Sequence, residues 1–386
     1  MLVAGIVLLP LLGRKPLAHW DEGIYAEISR AMLGHSWLVP TWQNHVWLEK
    51  PPLMLWITAI FFKFFQVSEF WARIGSALSG IALVGASHWW LAKRGGMRAA
   101  WFSSLILIST LGFIRACRVG EMDVLLSLGC FLAISGLTVV GCGKPNAWYL
   151  FWTGFGLAAI TKGGASVVIP LTLAIVAISG RWPRANFRHS FIGGLLLFLA
   201  IVLPWHFYMF HLFGSSFIHT YFGWQIFARA SAQIEGHNTH FCYYAWDLSV
   251  SAVPWVFLFP FALISAFKKP EFRAWAIFAL TVLVFFTLVQ TRLPHYIVPV
   301  YAPFAILTGD MLADLLDRPA FRLKSKPAWA LLGLATSSIW IITVKLTETS
   351  RVTLHAGTAA IRGDPTFSAL PRAPAPDLTP HAQPKK

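Results

Sequence analysis

Charge is what this 386-residue chain has least of. Only 12% of its residues are Asp, Glu, Lys or Arg, about half the share of a soluble domain. No long polar stretch interrupts the apolar ones, so no large water-soluble domain is expected within it. Cysteine is scarce as well: Cys117, Cys130, Cys142 and Cys242 show neither metal-ligand spacing nor a disulfide framework, and are expected to be structural. A secretory leader is not expected, because Met1 to Leu12 has no basic n-region and no small-residue cleavage site. The segment reads as the outer part of a first span whose true start lies upstream. The net charge of +15 does not point to nucleic acid. The basic residues are scattered between apolar runs instead of forming one stripe, and read as topology signals and contacts to lipid phosphate.

What the chain has in abundance is apolar length. Runs long enough to cross a bilayer fall at about 71–92, 98–115, 122–142, 147–160, 164–180, 189–211, 244–266, 273–290, 294–316 and 327–346. With the N-terminal segment these predict an all-α, polytopic integral membrane protein of about eleven transmembrane helices. The membrane domain is expected over 1–346, and the Pro-, Ala- and Thr-rich tail 347–386 is expected to be disordered. Residues 51–65 are apolar but marginal in length, and their role decides the topology. Lys93, Arg94 and Arg98; Lys144; Arg181, Arg184 and Arg188; Lys268, Lys269 and Arg273; and Arg318, Arg322, Lys324 and Lys326 occupy five connections. If 51–65 is juxtamembrane or re-entrant, all five lie on one side, which the positive-inside rule makes cytoplasmic. Juxtamembrane helices are then expected in the first and fourth loops of the opposite face.

That face gathers nine of the sixteen acids: Asp21, Glu22, Glu27, Glu49, Glu69, Glu121, Asp123, Glu235 and Asp247. The densest part is WDEGIYAEISRAMLGHSWLVPTWQNHVWLEKPP, from Trp20 to Pro52, where four tryptophans alternate with charges as at a membrane–water interface. Asp21 is placed to cap a short helix through Leu33, with Trp20 and Tyr25 as a hydrophobic staple. Ile24, Ile28 and Met32 give that helix one apolar face, suited to lying on the bilayer surface. The chemistry is expected in this loop, broadly residues 13–70.

DEGIYAEISRAML followed by LEKPPL resembles the first extracytoplasmic loop of the lipid-linked-sugar glycosyltransferases. ITKGGASVVIP, LPWHFYMF and RLPHYIVPVYAPFAIL look like later landmarks of the same GT-C class. The match is nearest to the aminoarabinose (lipid A) transferase family, with the protein O-mannosyltransferases more distant. Members of that first family carry a soluble domain after the membrane part, which is not seen in this sequence. The resemblance implies transfer of a sugar from a polyprenyl-phosphate donor to a lipid A-like glycolipid, another envelope glycan or a protein. It also implies an inner membrane with the active site facing the periplasm.

Such a transfer needs cations for the phosphate leaving group, a carboxylate or imidazole to orient or deprotonate the acceptor, and an apolar groove for the prenyl chain. By its match to the family, Asp21 is expected to be the essential carboxylate and Asp123 the second acid. The bland readings are an N-cap for Asp21 and a cap paired with Arg118 for Asp123. Lys50 is expected at the lipid phosphate, against plain snorkelling. Arg229 is the second candidate cation, against pairing with Glu235. Glu49 and His237 could hold a divalent metal ion, an incomplete ligand set. Arg292, His295 and Tyr296 are expected to shape the sugar pocket. Glu121 is a weaker candidate, and Lys162, in a tight glycine turn, reads as an ordinary loop residue.

Two alternatives stay open. One is a transporter or flippase of lipid-linked sugars, which would place polar groups at mid-membrane and show internal repeats. The other is a lipid-binding scaffold without turnover.

Overall fold

The structure, a computed structural model, describes residues 1–18, 20–179, 188–228, 231 and 240–317. The elements run α1 (Leu2–Leu8), α2 (Asp21–Ala31), a hairpin of β1 (Thr41–Trp42) and β2 (His45–Val46), α3 (Leu53–Phe64), α4 (Glu69–Ala92), α5 (Gly96–Ser109), α6 (Leu111–Cys117), α7 (Asp123–Gly141) and α8 (Ala147–Lys162). A 3₁₀ turn over Ala165–Val167 leads into α9 (Val168–Ile178), and α10 (Arg188–Phe217) continues into a π-helical stretch, Ile218–Ala228. Then come α11 (Tyr243–Ser251), a 3₁₀ turn Trp255–Leu258, α12 (Phe259–Lys268), α13 (Pro270–Leu288), a 3₁₀ segment Pro294–Val300 and α14 (Tyr301–Asp317). In the hairpin Thr41 pairs with Val46. Its two turn residues, Gln43 and Asn44, both have positive φ, 50° and 64°, the twist that a tight two-residue hairpin requires.

Among the described residues five helices are long and apolar enough to span a bilayer, or seven if each sharply bent pair counts as one. The bends correct two expectations. The run 98–115 is broken at Thr110, whose extended backbone turns α6 by 69° from α5. The run 244–266 bends by 117° between α11 and the segment from Trp255. The expected 212–243 loop also begins later than hydropathy suggests, because the apolar FIHTYFGWQIFA keeps the chain helical to Ala228 after a kink at Gly214. At twelve residues α3 reaches only about 18 Å and is too short to cross. The expected span 327–346, the tail 347–386 and the basic residues Arg181, Arg184, Arg318, Arg322, Lys324 and Lys326 lie outside the described residues.

The tightest seam is between α7 and α8. A Cβ on Gly136 would collide with the Phe151 amide, and one on Gly154 with the Ala133 amide, so glycine alone lets the two backbones come this close. Because the pair is antiparallel and joined by a short turn, the first residue of α7, Asp123, is brought to the last residue of α8, Lys162. At the other end of the bundle Lys269 binds Asp310 and Asp314, both at 2.6 Å, and Arg98 binds Asp317. The connections 93–98 and 268–273 and the end of α14 therefore share one end. The loops before α2 and α7 share the opposite one.

The amphipathic helix α2 differs from expectation in what it faces. Ile28 and Met32 are buried with Tyr25 against Trp47, Met54, Leu55 and Met122. Its apolar side is covered by α3 and the first loop, not left for lipid. Asp21 is not its cap either. The helix begins at Asp21, preceded by Trp20 at φ 80°, with no side-chain cap hydrogen bond. Trp20 is exposed, so it staples nothing to the buried Tyr25.

Candidate active site

Five segments converge on one cleft of about 440 Å³. Asp21, Glu49 and Lys50 come from the first loop and α2, and Lys162, Gly163 and Gly164 from the end of α8. Tyr221 and Gln225 come from the π-helical stretch, and His295 and Tyr296 from the segment before α14. Phe285, Phe286 and Val289 from α13, with Val167, Ile226 and Phe227, form an apolar wall. The glycines are required for this closeness: a Cβ on Gly163 would strike the Tyr221 hydroxyl, and one on Gly164 would lie 3.0 Å from Ile226. The first loop is pinned against the bundle by two tryptophan N–H groups. Trp56 donates to the Trp37 carbonyl at 2.6 Å and Trp205 to the Leu38 carbonyl at 2.9 Å.

Two half-buried lysines dominate the polar end. Lys50 Nζ donates to the Tyr25 hydroxyl and lies 3.4 Å from Asp21 Oδ2. Lys162 Nζ donates to Asp123 Oδ1 at 2.7 Å and sits 5.2 Å from the centre of the Tyr296 ring. Burial works to raise the Asp21 pKa, but Lys50, Lys162 and His295 together outweigh it and hold this carboxyl well below the usual carboxylate range. Glu121 moves the other way. Burial first, then the adjacent Asp123 carboxylate, push it up to about 8. At neutral pH it is mostly protonated, so its 3.6 Å approach to His295 Nδ1 is not an ion pair. Glu49 accepts a hydrogen bond from the Gln225 side-chain amide.

The oxygens of Glu121 and Asp123 and a ring nitrogen of His295 lie within 4.8 Å of one another. Two carboxylates and an imidazole suit a divalent cation in principle. Here the Lys162 ammonium already holds Asp123, so a second cation on the same oxygens meets like-charge repulsion and the set does not fit one.

Of the residues singled out from sequence, Asp21, Glu49, Lys50, His295 and Tyr296 line the cleft, and Asp123 reaches it through Lys162. Arg292 is buried behind it, with its guanidinium on the Thr287 carbonyl at 2.9 Å, and is not among the described lining residues. Arg229 and His237, and with His237 the expected Glu49–His237 metal pair, lie outside the described residues. Arg118 is not the partner of Asp123: it donates to the carbonyls of Leu8 and Pro10, both at 2.8 Å. Lys162, expected as an ordinary loop residue, is instead the last residue of α8 and donates to Asp123. It is a half-buried cation, and its mark in the sequence is a single lysine between two long uncharged runs.

Comparison with known proteins places this arrangement. The family model described as dolichyl-phosphate-mannose-protein mannosyltransferase matches residues 49–208. The undecaprenyl phosphate-alpha-4-amino-4-deoxy-L-arabinose arabinosyl transferase of Erwinia tasmaniensis is 31% identical over 306 residues, covering 74% of this chain and 54% of that relative. The crystal structure of ArnT from Cupriavidus metallidurans bound to undecaprenyl phosphate is similar with a TM-score of 0.75 at 26% identity, covering 86% of this chain and 62% of that one. The archaeal oligosaccharyltransferase AglB from Archaeoglobus fulgidus, with a TM-score of 0.57 at 13% identity and covering 88% of this chain and 54% of that one, shares the fold alone. The chain thus spans little more than half the length of the curated relative. The resemblance carried by the loop motifs extends over most of this chain.

Proposed function

We propose that this chain is a polytopic membrane glycosyltransferase of the GT-C class, which takes a sugar from a polyprenyl-phosphate donor and passes it to an envelope acceptor. The acceptor class is a lipid A-like glycolipid, another envelope glycan or a protein, and the cleft faces the periplasm of an inner membrane. The observation that carries the reading is the make-up of one cleft. Lys50, Lys162 and a permanently ionised Asp21 stand at one end, and a wall of Phe285, Phe286, Val289 and Phe227 at the other. That is the polarity of a prenyl phosphate, charged head and apolar tail. A similar chain, from Cupriavidus metallidurans, binds undecaprenyl phosphate in its crystal structure.

In this reading the bond between the sugar's anomeric carbon and the donor phosphate oxygen breaks, and its electron pair stays on the phosphate. Lys50 and Lys162 neutralise the charge that develops there. The acceptor oxygen forms the new bond to the anomeric carbon. Asp21, with its low pKa, is a weak base and orients the acceptor or the sugar. If the acceptor is an ionised phosphate no proton moves. If it is a hydroxyl, its proton goes to the minor ionised fraction of Glu121, whose pKa of about 8 makes it a stronger base than Asp21. Asp123 fixes the Lys162 ammonium. Glu49, His295 and Tyr296 line the sugar side, Arg292 shapes the turn that carries His295 and Tyr296, and a head-group role for Arg229 and His237, which lie outside the described residues, rests on the sequence alone. The segment before α2 and α3 itself are read as lying at the interface, and the expected count of about eleven spans requires α8, α9, the N-terminal segment and the residues beyond those described in addition to the five to seven described spans.

A flippase has less in its favour, since the described charged groups gather at helix ends and loops. The test is undecaprenyl-phosphate binding by the purified chain in nanodiscs, followed by transfer from an undecaprenyl-phosphate sugar to envelope glycolipid. Lys50→Ala should weaken binding roughly ten- to hundredfold, the worth of one charge-assisted contact to phosphate. Unchanged binding in that variant would sink the role given to Lys50, and a wild-type chain that binds but never transfers would favour the flippase.

A further inference from the structure

Behind the cleft lies another ion pair, whose side chains hydrogen-bond to none of the residues lining it. Glu22 and Arg73 are 2% and 6% exposed. The pair is bidentate: Arg73 Nε donates to Glu22 Oε1 at 2.7 Å and a terminal nitrogen to Oε2 at 2.9 Å. Each carboxylate oxygen also accepts one backbone N–H at 2.7 Å, Oε1 from Gly120 and Oε2 from Ala18. The other Arg73 hydrogens go to the carbonyls of Leu12, Lys15 and Pro16, at 2.8 to 2.9 Å. One residue of α4 thus holds the loop before α2, while its partner in α2 holds the loop before α7. A third contact from α4, Ser76 Oγ to the Glu121 carbonyl at 2.8 Å, pins the same second loop.

The sequence neighbours give this arrangement its meaning. Glu22 follows Asp21, and Gly120 precedes Glu121 and, two residues on, Asp123. The backbone entering α2 has no side-chain cap, and Trp20 sits at φ 80°; Tyr25 and Lys50 hold the Asp21 carboxylate at its tip, while the loop backbone that carries it is held by Glu22 and Arg73. Gly120 is needed for the second loop to reach Glu22: a Cβ there would lie 3.0 Å from the Ala72 carbonyl oxygen and 3.4 Å from Glu22 Cγ. Replacing a buried ion pair by neutral side chains of similar size is often neutral or stabilising, so stability by itself is a poor reason for one. Geometric registration is a better one.

We propose that Glu22 and Arg73 are positioning residues: through backbone hydrogen bonds to both loops they set the Asp21 carboxylate against the Glu121–Asp123 pair. They touch no substrate. The inference rests on the glycosyltransferase reading only for what is being positioned.

The test uses the full chain in nanodiscs. Glu22→Gln leaves Arg73 buried without a counter-charge and can fail to fold, so the double variant Glu22→Gln/Arg73→Gln and the loop variant Gly120→Ala are made beside it. Undecaprenyl-phosphate binding, transfer kinetics and hydrogen–deuterium exchange of the 12–18 and 118–122 loops are measured. The expected result is binding within about twofold of wild type, kcat lower by roughly ten- to hundredfold with KM little changed, and faster exchange in both loops together. Glu22→Asp/Arg73→Lys should restore part of kcat. A folded double variant with either wild-type turnover or wild-type loop protection overturns the proposal. If the wild-type chain itself neither binds the lipid nor transfers sugar, the glycosyltransferase reading fails separately. The pair is then decided by exchange alone: joint loosening of the two loops upholds it and unchanged protection overturns it.

Discussion

Lys162 and Asp123, thirty-nine residues apart, meet at 2.7 Å because α7 and α8 pack backbone to backbone and run in opposite directions. Their side chains are only 12% and 4% exposed. The pair closes the inner end of the cleft and presents a cation to it. Breaking such a pair from one side leaves a buried charge, which costs about 3–5 kcal/mol.

Lys162→Ala should therefore lower the melting temperature and abolish most transfer. Lys162→Met/Asp123→Asn should regain much of the melting temperature without regaining activity, because the buried charge is gone and so is the cation that lines the cleft. Thermal unfolding and turnover measured on the same preparations separate the two effects. A double variant as active as wild type would remove Lys162 from the mechanism.

For Asp21 the decisive substitution is Asn. The helix does not use this side chain as a cap, so Asp21→Asn should leave folding intact while transfer falls by about two orders of magnitude or more through loss of a fixed charge. Asp21→Glu should also be poor, since one methylene moves the carboxylate by about an ångström. Turnover at the wild-type rate in Asp21→Asn would exclude it from the reaction.

Glu121 predicts a dependence on pH. Its pKa is raised from 4.5 in the free side chain to about 8 by burial and by Asp123. A raised carboxyl binds its proton more tightly when folded, so its stabilising contribution is full below pH 4.5 and is lost as pH rises through 8. The melting temperature should fall across that window, and Glu121→Gln should flatten the fall. An equally steep fall in Glu121→Gln would mean that another group titrates.

Topology is testable with the chain's own cysteines. Cys142 and Cys242 are exposed, whereas Cys117 and Cys130 are buried. Cys242 precedes α11 on the cleft side and Cys142 follows α7 at the opposite end. An impermeant maleimide added to intact spheroplasts should label Cys242, and Cys142 only after permeabilisation. The reverse order would invert the proposed orientation.

By itself the sequence determined the environment, the class and most of the surfaces involved. Apolar runs with so few charges have one stable solvent, a bilayer, and inside it backbone hydrogen bonds must close within helices. The same scarcity made Asp21, Glu49, Lys50 and Asp123 conspicuous, since a charge kept in such a chain is costly unless it is used or paired. Only the tertiary structure decided who pairs with whom. Asp21 could have capped its helix and Asp123 could have met Arg118, and nothing local distinguishes those partners from Lys50 and Lys162. The choice depends on glycines at 136 and 154 that draw α7 onto α8, and on an Arg73–Glu22 pair that reaches across two loops. The bends at Thr110 and before Trp255 were equally illegible, because hydropathy measures what a segment dissolves in and not the angle at which its neighbours make it turn.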